Sequence, residues 1–445
     1  MLQDNPPSTA KVYNIPAALP FLESFARGLL ARYGDDTLAL REVKILLPPR
    51  RACRNLRNAF LRINDGAPFI LPQLIPIGDL DEDELKLSAI AIGKVDDILA
   101  IKPAISPLRR RLLLAQLVQR IPNHQTRPEQ AVALADSLAR LIDNVHNEDL
   151  SFDALSKLVA EEFAEHWQIT LDFLEIIRVH WPAILAEEGC LDPADRRNRL
   201  IKLLIQIWYD TPPPHSVIAA GITGSLPSTA ALLNAVANLP RGEVILPGLD
   251  THMDSASWDS LDDTHPQSVF HKLLRVLGLS YKDVALWGEC AHSDNRPAHI
   301  ENRFVLASEV MRPAETCGQW AQISAPHNGA IKATLAAALD DIHLITAKTE
   351  QEEAEKISLV LRKTLQDPKK TAIVVTPDRA LARRIGAAMR RWDIQLDDSA
   401  GTPMHYTRIG SWLQACAAFM VERLRPLHFL NFMHHQLAAC GMEDK

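Results

Sequence analysis

Ile45-Leu46-Leu47-Pro48-Pro49-Arg50-Arg51-Ala52-Cys53-Arg54-Asn55-Leu56-Arg57-Asn58-Ala59-Phe60-Leu61-Arg62 is the stretch from which the fold is read. Its apolar lead-in, Val43 to Leu47 with Lys44 inside it, predicts a buried strand. Two prolines then stop the ladder, because proline has no N–H to give it, and a helix begins. On that helix Ala52, Leu56, Ala59, Phe60 and Ile63 fall on one face. Arg50, Arg54 and Arg57 fall on another, with Arg51 beside them. The pattern is a strand feeding a helix whose first turns carry a cluster of guanidinium groups. Arginine forks suit phosphate oxygens, and the donors at a helix start add to that. The same pattern also fits a solvated helix face.

A partial echo occurs later in the chain. Ile373-Val374-Val375-Thr376-Pro377-Asp378-Arg379-Ala380 repeats strand, proline, arginine and alanine, and runs into a helix with Arg383, Arg384, Arg390 and Arg391. Two such units predict two related α/β domains facing a common cleft. One pair is too few for a repeat array.

A chain of 445 residues holds two or three domains and buries a large core. With 47% hydrophobic and 23% charged residues the composition is that of an ordinary globular protein. The formal net charge of −7 gives no global field toward nucleic acid or anionic lipid, so any polyanion site is local, and the arginine clusters are the candidates. No two of the six cysteines have CxxC spacing, which predicts reduced, mostly buried thiols. There is no apolar signal core near Met1 and no uncharged apolar run of membrane-spanning length, so a cytoplasmic protein with no membrane partner is expected.

Lys11 to Ile15 predicts a first strand, Phe21 to Tyr33 an amphipathic helix, and Leu71 to Ile77 another extended run. The run ends in the acids Asp79, Asp81, Glu82, Asp83 and Glu84, which read as a solvated linker before a cation site. From Pro107 to about Tyr209 the pattern turns helical, with Thr126 to Glu129 as a capping box and Trp167, Leu171 and Leu174 on a later helix. Such a block inside an α/β chain is an inserted subdomain. Val217 to Ala220, the Gly221–Pro227 turn, a helix through Ala237 and the strand Val244 to Leu246 restore the alternation of a parallel sheet covered by helices. Residues 291–303 and 323–330 read as loops. A new unit starts at Asp341, with His343 to Thr346 as a strand and Gln351 to Leu365 as a helix. The apolar helical tail from Ile409 to Met442 ends without a polar, capped finish, and the chain reads as cut short. The expected domains are 1–106 and 211–340 as one α/β domain, 107–210 inserted in it, and 341–445 as the start of a second.

No phosphate-cradling G-x-x-x-x-G-K-[ST] loop (Walker A) is present. Asn14, Pro16 and Pro20 stand where it would follow the first strand. Gly221 to Ser225 has the glycines of such a loop but no lysine, and reads as a tight turn. Asp250, Asp254, Asp259, Asp262 and Asp263 follow a strand end, where open α/β sheets keep their sites, yet form no catalytic constellation. No metal site is expected.

Several motifs in order carry a family resemblance: Ile45-Leu46-Leu47-Pro48 with Arg50-Arg51-Ala52 and Leu56-Arg57; Leu71-Pro72 with Pro76-Ile77-Gly78-Asp79; Gly221-x-Thr223-Gly224-Ser225-x-Pro227; Leu239-Pro240-Arg241-Gly242; Leu246-Pro247-Gly248-Leu249-Asp250; Trp258 and His265-Pro266-Gln267; Thr376 to Arg384; and Asp397 to Gly401. From about residue 12 to 415 the chain resembles the alphaproteobacterial AddB subunits of the AddAB double-strand-break repair helicase–nucleases. The resemblance implies a superfamily 1-like helicase core, inactivated on this side. It also implies an AddA-type motor subunit as partner and single- and double-stranded DNA as ligand, with participation in scanning for the regulatory recombination sequence. Backbone contacts to the single strand map onto Arg50, Arg51, Arg54 and Arg57, and from the second core domain onto Arg379, Arg383 and Arg384. AddB proteins continue to a C-terminal nuclease with an iron–sulfur cluster held by cysteines. That region is missing here, so neither the nuclease activity nor a cofactor is expected. Two other readings stay open: a nucleotide-dependent α/β transferase with Asp250 in its site, and a protein-interaction scaffold without DNA binding.

Overall fold

The computed structural model describes residues 11–34, 36–66, 70–77, 93–120, 127–152, 176–288, 298–323, 329–422 and 425–438. The chain divides into two compact units, Met1–Asp340 and Asp341–Lys445.

The first unit is α/β. Its strands are β1 (Val12–Ile15), β2 (Lys44–Leu47), β3 (Gln73–Pro76), β4 (Val217–Ala220), β5 (Gly242–Pro247) and β6 (Ala285–Leu286). They form one all-parallel sheet in the order β3-β2-β4-β5-β1-β6. Pro76 is tolerated because β3 is an edge strand. The two-residue β6 was not anticipated from sequence.

Side chains alternate across the sheet, as a period of two requires. Ile45, Leu47, Ile218, Ala220 and Ile245 face Phe25, Leu29, Leu56 and Phe60 of the helices Phe21–Tyr33 and Arg50–Ile63. Leu46, Val217, Ala219, Val244 and Leu246 face the opposite layer, where Leu232, Leu233, Val236, Phe270 and Leu273 come from Pro227–Asn238 and Ser268–Leu277. The helices that follow β1 and β2 thus cover one face, and those that follow β4 and β5 cover the other. Both faces are buried, which is why these strands read as continuous apolar runs.

The helical block follows β3. Pro107–Gln119, Pro128–Asn147 and Pro193–Asp210 are its long helices among the described residues, with Leu114, Val118, Ala135, Ile142 and Trp181 in the core. A buried polar knot ties them together. Arg110 donates to both oxygens of Asp143 at 3.0 and 2.9 Å, and Trp181 Nε1 donates to Asp192 Oδ2 at 2.9 Å. Arg110 Nε lies 2.9 Å from Asp192 Oδ1, an ion-pair distance outside hydrogen-bond geometry. The second helix starts at Pro128, where the Arg127 N–H donates to Gln130 Oε1. Thr126 and the Trp167–Leu174 helix lie outside the described residues, as do the acids Asp79 to Glu84. The loop expected over 291–303 is helical from Ala298, within Ala298–Val310. Most of the loop expected over 323–330 falls outside the described residues, and a helix starts at Gly329.

In the second unit, Glu350–Thr364 packs on Arg379–Arg390 through Ala354, Leu361, Leu381, Ile385 and Met389. The strands expected at His343–Thr346 and Ile373–Thr376 do not form. Neither run pairs with a strand among the described residues, and their apolar side chains are largely in solvent, with Leu344 91% and Val375 90% exposed. β propensity alone does not make a strand, because the backbone needs a neighbouring ladder. The tail forms Arg408–Val421 and Pro426–Met433, joined by stacking of Trp412 and Phe419 on Phe432.

Candidate nucleic-acid interface

Arg50–Ile63 begins at the carboxyl end of β2. Cys53, Leu56, Ala59 and Phe60 are buried, while Arg50, Arg51, Arg54 and Arg57 are all exposed, so the face division expected from spacing is the observed one. The residue before the helix is Pro49, no side chain caps it, and its first turn contains no acid. The positive end of the helix dipole therefore carries added positive charge, an arrangement that favours an anion from outside. Arg62, on the last turn, is held by Glu23. Arg54 and Arg57 have no acidic partner among the described residues.

Sheet topology places this helix start in a crevice. β2 and β4 are hydrogen-bonded neighbours, with Leu46 opposite Ala219. The chain leaves β2 toward one face of the sheet and leaves β4 toward the other. Open α/β sheets form their ligand crevices outside the carboxyl ends of strands that diverge in this way. On the β4 side the crevice is bounded by Gly221 to Pro227. Gly221 and Gly224 have φ of 70° and 67°, and a Cβ on Gly224 would lie 2.9 Å from Leu273 Cδ1. The glycines there serve a tight, well-packed turn.

The other crevice, beside β1 and β5, is closed by side-chain amides. Asn14 is fully buried; its Nδ2 donates to Leu249 O and its Oδ1 accepts from the Leu249 N–H, each at 3.0 Å. Gln267 repeats the device, donating to Gly248 O at 3.1 Å and accepting from the Asp250 N–H at 3.0 Å. The β1 turn runs through Pro16 and Pro20, which have no N–H to offer a phosphate. Asp250 Oδ1 accepts from His252 N–H at 2.8 Å and Met253 N–H at 3.2 Å, so it stabilises its own turn. Asp254 caps the Ser255–Asp259 helix and pairs with Arg312 at 2.5 Å. Burial pushes the Asp254 carboxyl up, but the Ser257 and Arg312 hydrogen bonds prevail and hold it below the usual carboxylate range. Asp262 accepts from Thr264 and His265, and Asp263 pairs with Lys272 at 2.7 Å. Of the five acids, only Asp259 lacks such a structural task among the described residues.

The second arginine cluster is differently furnished. Asp378 caps Arg379–Arg390 by accepting from the Ala380 N–H at 2.7 Å. Arg379 makes a two-pronged pair with Asp398 at 2.9 and 2.7 Å, and these hydrogen bonds hold its guanidinium above the ordinary arginine value. Arg384 pairs with Glu350, and Arg383 donates to Tyr406 Oη at 3.2 Å while lying against that ring. Trp392 has Arg362 and Arg391 4.7 and 4.8 Å from its ring, so its faces already meet cations. Sequence reasoning missed these neutralising partners, although Asp378 one residue before the helix was a readable cap signal. It also missed Arg312, whose buried guanidinium joins Glu309, Asp254 and Gln319.

No helix among the described residues is long and apolar enough to cross a membrane. No family model matches the chain, and a search of curated proteins finds no match.

Proposed function

We propose that the chain is a non-motor, DNA-binding subunit of an ATP-dependent helicase–nuclease of the AddB type, acting in the cytoplasm in double-strand-break repair beside an AddA-type motor. One observation carries this reading: an uncapped helix start bearing exposed arginines at the carboxyl end of β2, in a crevice of a parallel sheet. The motif order given above supports the inactivated helicase-core assignment. The proline turn after β1 and the amide straps beside it fit a subunit that binds no nucleotide triphosphate there. The proposed mechanism is non-covalent. Arg50, Arg51, Arg54 and Arg57 meet successive phosphates of a single strand, giving salt-sensitive affinity with little base readout. Arg379 and Arg384 are open to a phosphate only if DNA displaces Asp398 and Glu350, and Arg383 only if it leaves Tyr406. The transferase reading loses its main candidate, because Asp250 is committed to its own turn.

The test is binding to fluorescent single-stranded DNA across a salt series, with and without ATP, for the wild type and Arg54→Glu/Arg57→Glu. Each phosphate contact to a single strand contributes about 0.7 to the slope of log K against log salt. The double variant should therefore lose at least about 1.4 from that slope and more than tenfold in affinity at low salt. Unchanged binding by the variant, or salt-independent binding by the wild type, would refute the assignment.

A further inference from the structure

Away from the arginine helix, on the β5–β6 side of the same unit, lies a pocket of about 280 Å³. Trp258 and Tyr281, stacked 4.6 Å apart, contribute to its wall, and His271 meets Trp258 edge-on at 5.5 Å. Its polar lining is mostly cationic or hydroxylic. Lys282 Nζ is steered by Ser255 Oγ at 2.9 Å, and Arg275 is exposed with no acidic partner among the described residues. Ser280 adds a hydroxyl, and Asp259 is the single acid in the lining.

We propose that this pocket is a subsite for a phosphate monoester. Arg275 supplies a planar fork and Lys282 a point charge, the two geometries with which proteins hold phosphoryl oxygens. His271 and the serine hydroxyls supply further donors. Trp258 and Tyr281 are almost fully buried, so they shape the wall and leave little ring face for a base to stack upon. The volume, just below the usual range of small-molecule sites, suits a phosphoryl group with the first atoms of its ester. Asp259, acceptor-only when ionised, can take a hydroxyl of the ester but not a phosphoryl oxygen. The chemistry is common to a free mononucleotide and to the 5′-phosphorylated end of a DNA strand. It does not depend on the arginine helix being a DNA contact.

The experiment is calorimetric titration of the full chain with inorganic phosphate and with adenosine 5′-monophosphate, repeated with Arg275→Gln and Lys282→Gln. Both side chains are exposed, so neither change threatens folding, and matching circular dichroism spectra would check this. Saturable binding by the wild type that weakens about tenfold in each variant is expected, the loss of one charge-assisted contact. A wild type that does not saturate, or variants that bind as well as it does, would overturn the proposal. A short oligonucleotide with a 5′-phosphate and its 5′-hydroxyl twin then identify the source, using Arg54→Glu/Arg57→Glu as background to silence the arginine helix. Tighter binding of the phosphorylated strand, lost in Lys282→Gln, assigns the site to strand ends. Equal binding of the twins, with mononucleotide binding intact, assigns it to free phosphate esters.

Discussion

Asn14→Asp turns the strap between β1 and the segment after β5 into a titratable group. The side chain is fully buried and exchanges two hydrogen bonds with the Leu249 backbone, donating one and accepting one. A protonated aspartic acid reproduces both, because its O–H can donate to Leu249 O while its carbonyl accepts from the N–H. An ionised one cannot donate, and it brings an unpaired charge beside a carbonyl oxygen. Burial therefore raises the folded-state pKa of the new acid above its unfolded value near 3.9. With a raised folded pKa, stability is fully present below the unfolded value and is lost as pH rises through the folded one. A rise of about three units, the low end for full burial, amounts to about 4 kcal/mol at pH 7. Asn14→Ala is the control. It orphans the Leu249 N–H and C=O at about 1–3 kcal/mol each, and that loss does not vary with pH. Urea unfolding of wild type and both variants from about pH 4 to pH 8, with stability differences taken from the wild type at each pH, measures the effect. An Asn14→Asp penalty that is flat with pH, or below about 1 kcal/mol at pH 7, would refute the strap.

Gly28→Ala should destabilise the first unit by about 1–3 kcal/mol despite the better helix propensity of alanine. The new Cβ would lie 2.1 Å from Nε1 of Trp287, a buried ring held by Tyr13, Phe25 and Arg32, and the fall in Tm measures it. Arg312→Ala removes the only cation seen against Glu309 and Asp254 among the described residues and should cost on the order of 2–3 kcal/mol, discounted because both acids are partly exposed. Because the Asp254 carboxyl is held below its usual range, the stability it contributes is lost as pH falls through the folded value. The acid limb of the stability–pH curve should therefore be shallower in Arg312→Ala. Asp398→Ala releases Arg379 from its pair, so later elution from a heparin column is expected.

The first unit was legible because its signals are local and agree with one another. Proline closes β2, the arginine and apolar faces of Arg50–Ile63 separate by spacing alone, and the parallel sheet follows from apolar runs alternating with helices. What escaped was long-range. Asn14 meets Leu249 and Arg312 meets Asp254 across wide gaps in sequence, and no periodicity reports such pairings. The runs at 343–346 and 373–376 show the converse failure. They have strand composition, but a strand also needs a neighbour, and composition says nothing about whether one is there.

The candidate site turns on the same distinction. By sequence the helices at Arg50 and Arg379 are near-equivalents, each a strand, a proline and an arginine-bearing start. Their physical states differ. Asp378 fills the end of the second helix with a carboxylate and Asp398 takes its first guanidinium, so an anion arriving there must displace two resident ones. Pro49 has no such group to offer, the first turn has no acid, and the exposed Arg54 and Arg57 have no partner among the described residues. A phosphate reaching Arg54 or Arg57 therefore gains a charge-assisted contact without first breaking one made by that side chain among the described residues. On the proposed reading, Arg54 and Arg57 make the first helix the better candidate for a DNA contact, while Arg379 and Arg384 of the second are held by Asp398 and Glu350.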